Sequence, residues 1–237
     1  MLEALHASLR LIWQFDANLV RTMTLSVSVS AAACAIASVS GLMAGAVLAT
    51  LKFRGQGALT MALNTLLALP SVLVGLLVYL LLSRSGPLGS WGILFTPTAM
   101  VVAQTMLVLP VVVVLSRQLV ADALQDGNDT LTSMGASKPM KAVLMLLHTR
   151  WAVLTVVLTA FGRAISEVGA VMIVGGNIEG VTRVMTTSMA LETSKGDLPL
   201  AMALGLLLLA MVALINLAIS WARSCSAPTA LSGRPAL

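Results

Sequence analysis

Residues 122–150 read DALQDGNDTLTSMGASKPMKAVLMLLHTR, and this polar stretch interrupts a chain that is otherwise almost entirely apolar. Its pattern predicts two short helices joined at a glycine. Asn128 or Asp129 can cap the first helix, because a short polar side chain accepts from the free N–H groups of a helix start. Gly135 supplies the positive φ that ends this helix, and Ser137 can cap the second. Taken by itself, the pattern fits equally well a hairpin that only links two membrane spans.

The composition places the chain in a lipid bilayer. Of its 237 residues, 58% are hydrophobic and 10% are charged, and the mean hydropathy is +0.98. A soluble domain carries about 25% charged residues. Five apolar runs reach the roughly 20 residues that cross a hydrocarbon core of about 30 Å. These runs cover residues 22–51, 56–83, 85–116, 151–178 and 198–222.

The sequence therefore predicts an all-α, polytopic membrane protein. Its five transmembrane helices are expected at about residues 22–50, 58–82, 96–116, 151–176 and 199–221. A membrane domain would cover residues 1–222, and residues 223–237 would form a disordered cytoplasmic tail. Arg10 and Trp13 fall in a weakly amphipathic segment that is expected at the membrane interface.

The basic residues of the short loops predict the orientation, because cytoplasmic loops carry an excess of Lys and Arg. One side of the predicted membrane has Lys52, Arg54, Arg117, Lys138, Lys141, Arg150, Arg223 and Arg234. The other side has Arg84, Arg183 and Lys195. The N-terminus is therefore expected outside and the C-terminus inside, with residues 118–150 in the cytoplasm.

Several classes of function are excluded by the sequence. It has no G-x-x-x-x-G-K-[ST] phosphate loop, so the chain does not bind ATP by itself. No Ser/His/Asp arrangement or carboxylate pair lies at one membrane depth, which argues against a hydrolase. His6, His148, Cys34 and Cys225 provide no metal-ligand spacing and suggest no disulfide. With 4% aromatic residues and no clustered basic face, nucleic-acid binding is not expected. We expect no catalytic site, metal or cofactor.

Pro70 and Gly75 should kink or break the second span. Irregular backbone is tolerated within a membrane only against protein or a water-filled cavity. Span two therefore either lines a path or has a kink that only shapes helix packing. Gly41 and Gly45 form a G-x-x-x-G pattern in the first span, which allows close helix contact.

Arg163 and Glu167 lie four residues apart in the fourth predicted span. A straight helix would place Arg163 about 18 Å from Trp151, near the middle of the membrane. Charges at this depth are costly and usually face a bundle interior or a cavity. Either the two residues form an ion pair that fixes helix packing, or they line a translocation path in which Arg163 attracts an anion.

The spacing of the polar stretch resembles the EAA loop of ABC-importer permeases, an acidic-small-small triplet followed by Gly-Ala-Ser and an apolar helix. In that family the loop forms coupling helices that lie in a cleft of a cytoplasmic ATPase. The resemblance implies a coupling role for Asp129, Thr130, Leu131, Gly135, Ala136 and Ser137. There are two departures from the pattern. Thr130 and Leu131 replace paired alanines, and His148 replaces the proline that closes the family's loop.

A second resemblance covers most of the chain. The sequence GRAISEVGA at residues 162–170, followed by Gly-Asn-Ile at 176–178, is similar to the segment after the EAA loop in molybdate, sulfate and tungstate permeases. Leu69-Pro70 with Gly75 matches their second span. The sequence FTPTAM at 95–100 and Ser-Glu-Val-Gly at 166–169 look most like the tungstate branch.

These resemblances imply the membrane subunit of an oxyanion ABC importer. The subunit would be homodimeric, with two copies of a separate ATPase and a periplasmic or lipid-anchored oxyanion-binding protein. It would lie in the inner membrane of a prokaryote and would not itself be an enzyme. Pro70, Arg163 and Glu167 would line or brace the translocation path. A molybdate, sulfate or amino-acid permease, an ATP-independent channel or secondary transporter, and a membrane scaffold are the alternatives.

Overall fold

The computed structural model describes residues 17–51 and 53–226, and within these ranges the fold is helical without β-strands. The helices are α1 Ala17–Thr50, α2 Gln56–Leu67, α3 Ser71–Leu82, α4 Pro97–Ser133, α5 Lys138–His148, α6 Arg150–Ile165, α7 Gly169–Gly175, α8 Met185–Lys195 and α9 Leu198–Ser226, with a 3-10 turn at Gly89–Trp91. The predicted all-α class is confirmed. Arg10, Trp13 and residues 227–237 of the predicted tail lie outside the described residues.

Helices α1 and α4 cross at the centre of the fold. A Cβ built at Gly41 would lie 2.9 Å from the Cβ of Val112, and one built at Gly45 would overlap the Ser116 Oγ. Ser116 Oγ donates to the Gly41 carbonyl at 3.2 Å. The close helix contact expected from the G-x-x-x-G pattern is confirmed. Such contacts favour association in lipid, where helix packing replaces the hydrophobic effect.

The predicted break at Pro70 is confirmed. Helix α2 ends at Leu67 and α3 begins at Ser71, and their axes differ by 98°. Pro70 has φ −61° and ψ 125°, so the chain is extended just before α3. The missing N–H of proline costs nothing at this position, because the first N–H groups of a helix have no partner within it. The predicted second span is thus two helices that meet at a steep angle.

The first helix of the predicted hairpin is not a separate helix. Helix α4 runs without interruption from Pro97 to Ser133 and includes both Asn128 and Asp129. The capping role predicted for these two residues is therefore wrong. The apolar part of the helix is continuous with the polar part, since no strong helix breaker lies between residues 111 and 133 other than Gly127, which helices tolerate.

The fourth predicted span, at about 151–176, is also broken. Helix α6 ends at Ile165, residues 166–168 do not continue it, and the short helix α7 begins at Gly169. Helix α6 itself meets α5 at an angle of 81°, at Thr149. Helix α5 therefore ends at His148 without the proline of the EAA pattern.

Among the described residues, three helices are long and apolar enough to cross a bilayer. They lie in Asn18–Thr50, Pro97–Gln125 and Leu198–Trp221. The bent pairs α2 with α3 and α5 with α6 raise the number to five if each pair forms one span. Helix α9 continues to Ser226, past the predicted start of the tail at residue 223.

The helices define two ends of the molecule. At one end, Ala46 of α1 packs with Val120 of α4 and with Ala142 and Met145 of α5. We call this the hairpin end. At the opposite end, the Arg21 guanidinium donates to the Gly180 carbonyl at 2.6 Å.

Candidate functional sites: a helical hairpin and a broken helix

A tight turn connects α4 to α5 at residues 134–137. Gly135 has φ +73°, which a residue without Cβ adopts at little cost. The Gly135 N–H donates to the Thr132 carbonyl at 3.0 Å, and the Ala136 N–H donates to the Leu131 carbonyl at 3.0 Å. This pair of hydrogen bonds is the Schellman arrangement of a helix C-terminus. The predicted role of Gly135 in ending the helix is confirmed.

Helix α5 starts after Ser137, as the sequence predicts. Ser137 has φ −69° and ψ 159° and occupies the N-cap position, but its side chain makes no capping hydrogen bond. A lysine instead joins the two arms of the turn. Lys141 Nζ donates to Asn128 Oδ1 at 2.9 Å and to Thr132 Oγ1 at 2.8 Å. We call residues 128–148, joined in this way, the hairpin.

The hairpin has one packed face and one open face. Ala142 and Met145 are buried against α1 and α4, and Leu131 packs against the same cluster. On the outer surface, Met134 is 75% exposed and Leu147 is 65% exposed. The side chains of Met140, Val143 and Leu144 are exposed to smaller fractions. An apolar surface that projects beyond the bundle is typical of a protein-binding surface.

The six residues predicted for coupling all lie in this hairpin. Asp129, Thr130, Gly135 and Ser137 are exposed, and Leu131 and Ala136 are half-buried. The structure therefore brings the six residues together at one end of the molecule. Leu131 faces the buried cluster, whereas the other five lie nearer the open surface.

Glu167 lies in the second candidate region, at the break between α6 and α7. It is buried, and its Oε1 accepts from the Ala170 N–H at 3.2 Å, one of the free donors at the start of α7. Thr186 Oγ1 donates to the Glu167 carbonyl at 2.8 Å. Gln104 Nε2 donates to the Ala164 carbonyl at 3.0 Å. Side chains from α4 and α8 thus donate to backbone carbonyls at the break, one of which, the Ala164 carbonyl, also accepts from the Glu167 N–H at 3.2 Å.

Arg163 and Glu167 do not share a helix, so the predicted four-residue pairing is wrong. Arg163 lies in the last turn of α6, whereas Glu167 lies beyond its end. Arg163 is exposed and Glu167 is buried, and no ion pair joins them among the described residues. Because the helix ends at Ile165, the regular spacing that would align the two side chains is lost.

Pro70 lies next to this break. A Cβ built at Gly169 would lie 2.9 Å from Ser71 Oγ, and one built at Gly75 would lie 2.7 Å from the Ala170 Cα. Helices α3 and α7 are thus in direct backbone contact. The structure brings the segment after Pro70 together with the segment after Glu167, and leaves the Arg163 side chain outside this contact.

The comparison with curated proteins decides the family. No protein-family model matches the chain. The tungstate uptake system permease protein TupB of Peptoclostridium acidaminophilum is 42% identical over 214 residues, which cover 90% of this chain and 94% of that protein. The chain belongs to the ABC-transporter permease family. It is therefore a multi-pass membrane protein of the family that the sequence pattern indicates.

Other relatives of the permease come from both archaea and bacteria. A probable anion ABC transporter permease protein of Haloferax volcanii is 42% identical over 84% of this chain and 88% of its own length. The sulfate transport permease CysW of Escherichia coli is 30% identical over 70% of this chain and 60% of its own length.

Sequence reasoning missed several polar groups of the permease. Gln104 is buried within α4, and a single amide in an apolar run was the available signal. At the opposite end, Arg183 pairs with Glu179 at 3.3 Å and Lys195 with Glu192 at 2.8 Å. The charge pattern of the loops indicates no partner for Arg183 or Lys195, and it does not indicate the surroundings of Arg117.

Proposed function

We propose that the permease carries tungstate across the inner membrane of a prokaryotic cell as the membrane subunit of an ABC importer. The similarity to the tungstate uptake permease carries this proposal, because it extends over 90% of the chain. A second tungstate uptake system permease protein, from Campylobacter jejuni, is 39% identical over 70% of the chain. Relatives named for sulfate and molybdenum transport are less similar, at 30% and 26% identity.

Two copies of the permease would form the transport unit. We propose that each crosses the membrane five times, with the N-terminus outside and the C-terminus in the cytoplasm. The excess of basic residues on the hairpin side supports this orientation. A periplasmic or lipid-anchored oxyanion-binding protein would deliver the substrate at the opposite end. Two copies of a separate ATPase would bind at the hairpin end and perform the hydrolysis, so that the permease itself would not be an enzyme.

The hairpin would couple ATP hydrolysis to transport. Its open apolar surface, which includes Met134 and Leu147, fits a cleft of a partner protein. Its packed face contacts both central helices through Ala142 and Met145. Closure of the two ATPases would displace the hairpin, and the packed face would pass this displacement to α1 and α4. The spans would then reorient from outward-open to inward-open.

Pro70, Arg163 and Glu167 would act at the translocation path. Arg163 is exposed at the end of an apolar helix, and an intramembrane charge of this kind is expected to face a water-filled cavity. Its positive charge would attract an anion. Glu167 is buried and holds the start of α7, so it would brace the path rather than contact the substrate. Pro70 would set the direction of α3 beside it.

One experiment tests the proposed function. The tagged permease is co-purified with the proteins that bind it, and the complex is reconstituted in liposomes with the binding protein. ATP hydrolysis and uptake are measured with tungstate, molybdate and sulfate. We expect tungstate to stimulate both. Stimulation by sulfate or molybdate alone would reassign the substrate, and uptake without ATP would indicate a channel or secondary transporter.

A further inference from the structure

A large open cavity lies between α2 and α4, in the half of the molecule that carries the hairpin. Its volume is about 660 Å³, and both polar and apolar groups line it. Gln56, Thr60, Asn64 and Thr65 of α2 line one side, and Arg117 of α4 lines the other. The spacing of Gln56, Thr60 and Asn64 repeats every four residues, so these side chains share one face of the helix. This polar face of α2 thus lines the same cavity as the Arg117 guanidinium.

Arg117 has no partner within the described residues. It makes no ion pair or hydrogen bond there, and its Nε is buried without an acceptor. Guanidinium carries five N–H donors in a fixed plane and is always charged. A buried donor without an acceptor costs free energy, because its hydrogen bond to water is lost and not replaced. Arg117 is therefore a half-buried cation for which the described residues provide no acceptor.

The opposite wall supplies further donors. The Asn64 amide makes no hydrogen bond in the described structure, and its side chain lines the cavity. Gln56 Nε2 donates one hydrogen to the Leu48 carbonyl at 3.0 Å, which leaves its second N–H free. The hydroxyls of Thr60 and Thr65 donate to carbonyls of their own helix. Amide and guanidinium donors thus face each other across the cavity.

The charge of the cavity is positive. No Asp or Glu is among the residues that line it, so the Arg117 charge is not neutralised there. The ligand that satisfies these groups is an anion with several acceptor oxygens. A tetrahedral oxyanion meets this requirement, because its oxygens accept from donors on more than one side at once. A cavity of this volume also leaves room for part of the hydration shell.

We propose that Arg117, Asn64 and Gln56 form an oxyanion-binding site at the hairpin end of the permease. That the oxyanion is the transported one rests on the proposed function. Helix α2 has no buried residue and is joined to its neighbours at Gly55, where φ is +98°, and at the 98° bend before α3. An oxyanion between Arg117 and Asn64 joins α2 to the central helix α4. Occupancy of the site therefore favours the conformation in which α2 lies against α4.

Two sources can supply such an oxyanion. One source is the transported ion. The other is the phosphate of a lipid headgroup, because Arg117 follows the apolar part of α4 and its side chain can extend to the membrane interface. Tungstate is the probe for the first source, and anionic lipid is the probe for the second.

A cysteine at Gly57 reports on the site. Gly57 lines the cavity, and a Cβ built there meets no atom within 4 Å, so Gly57→Cys fits without strain. Cys34 and Cys225 are replaced by Ser. The permease with its ATPase is placed in nanodiscs of zwitterionic lipid, and alkylation of the new cysteine by a maleimide is followed with and without tungstate. At tungstate about ten times the dissociation constant, alkylation should slow by about tenfold.

Three variants test whether the protection by tungstate depends on Arg117 and Asn64. Arg117→Gln and Asn64→Leu should each abolish the protection, whereas Arg117→Lys should keep part of it because the charge stays. Arg54→Gln is the matched control: Arg54 is exposed at the same end but does not line the cavity, so protection should persist. If Arg117→Gln does not assemble, Asn64→Leu and Arg117→Lys still show whether protection depends on these two residues. Protection that persists undiminished in Asn64→Leu or in Arg117→Gln would overturn the proposal.

Repeating the alkylation with anionic lipid, together with a transport assay, distinguishes an ion site from a lipid site. If phosphatidylglycerol alone slows alkylation in an Arg117-dependent way and tungstate adds nothing, Arg117 binds a lipid phosphate and the ion site is overturned. Uptake of tungstate by the complex in liposomes, without any protection of the cysteine in nanodiscs, would overturn the site and leave the proposed function intact. Arg117-dependent protection by molybdate or sulfate without tungstate uptake would support the site and reassign the substrate.

Discussion

Gly75 of α3 lies directly against Ala170 of α7, so closely that a Cβ on Gly75 would be 2.7 Å from the Ala170 Cα. The contact joins the helix after Pro70 to the helix after Glu167. It is possible only because Gly75 has no side chain, since atoms at that distance overlap. The approach of these two short helices depends on this one glycine.

Gly75→Ala should therefore destabilise the permease by about 1–3 kcal/mol, because the added methyl forces α3 and α7 apart. Gly162→Ala is the matched control, since its Cβ would meet only Ile215, at an ordinary 3.8 Å. It should be neutral or stabilising by roughly 0.5–1 kcal/mol, as expected for Ala in place of Gly within a helix. Thermal unfolding in detergent measures both. Equal stability of the two variants would argue against the close approach.

The turn of the hairpin gives a second matched pair. Gly135 has φ +73°, where a Cβ costs about 1–2 kcal/mol. Gly135→Ala should therefore weaken ATPase binding and lower uptake. Membrane insertion should stay intact. Gly127 lies within α4 near the same hairpin, and its Cβ would meet Met145 at 3.7 Å. Gly127→Ala should therefore keep uptake. Normal uptake by Gly135→Ala would remove support for a coupling role of this turn.

Lys141 provides a third prediction. It bridges the arms of the hairpin through Asn128 and Thr132, so Lys141→Met should loosen the hairpin and reduce ATP-driven uptake severalfold. Two exposed hydrogen bonds contribute about 1 kcal/mol, and thermostability should change little. Lys138→Met is the control, because Lys138 forms no hydrogen bond or ion pair among the described residues. The stoichiometry of co-purified ATPase would show the loss directly, and equal retention by both variants would speak against the bridge.

Glu167 and Arg163 should act independently. Glu167→Leu removes the acceptor of the Ala170 N–H. It should destabilise the protein by about 0.5–2 kcal/mol, as the loss of other helix caps does. Glu167→Gln keeps an acceptor oxygen at this position. Arg163→Gln should reduce transport with stability little changed, and Arg163→Lys should keep part of it. A double-mutant cycle on stability with both residues changed to Leu should give a coupling energy near zero. Recovery of stability in the double variant would restore the ion-pair hypothesis.

The sequence predicts those parts of the fold that depend on local chemistry. Pro70 cannot continue a helix, Gly135 adopts a positive φ, and Gly41 with Gly45 allows close packing, so each could be recognised from its residue type. The break at residues 166–168 has no such signal, because Ser166, Glu167 and Val168 are all compatible with a helix. Two distant side chains, Gln104 and Thr186, donate to the Ala164 and Glu167 carbonyls at this break. Tertiary partners of this kind are not visible in an apolar run.

The cavity at Arg117 escaped prediction for a similar reason. Gln56, Thr60 and Asn64 do repeat at helical spacing, but only the steep bend at Pro70 turns that face of α2 toward α4. In a straight second span the stripe of these residues would run along the helix axis, and the sequence does not indicate which neighbouring helix it would face. The coupling residues were easier to predict, because they are adjacent in the sequence and the turn between them is local.

Topology is the last prediction. The structure places Ser90 and Ser194 near the opposite end, and Thr130 and Ser133 in the hairpin, and all four side chains are exposed. Single cysteines at these positions, with Cys34 and Cys225 replaced by Ser, should therefore label in two groups. An impermeant maleimide applied to whole cells with a permeable outer membrane should modify Ser90→Cys and Ser194→Cys at once. It should modify Thr130→Cys and Ser133→Cys only after the inner membrane is permeabilised, because the excess of Lys and Arg keeps the hairpin in the cytoplasm. Labelling in the reverse order would contradict both the orientation and the docking of an ATPase at the hairpin.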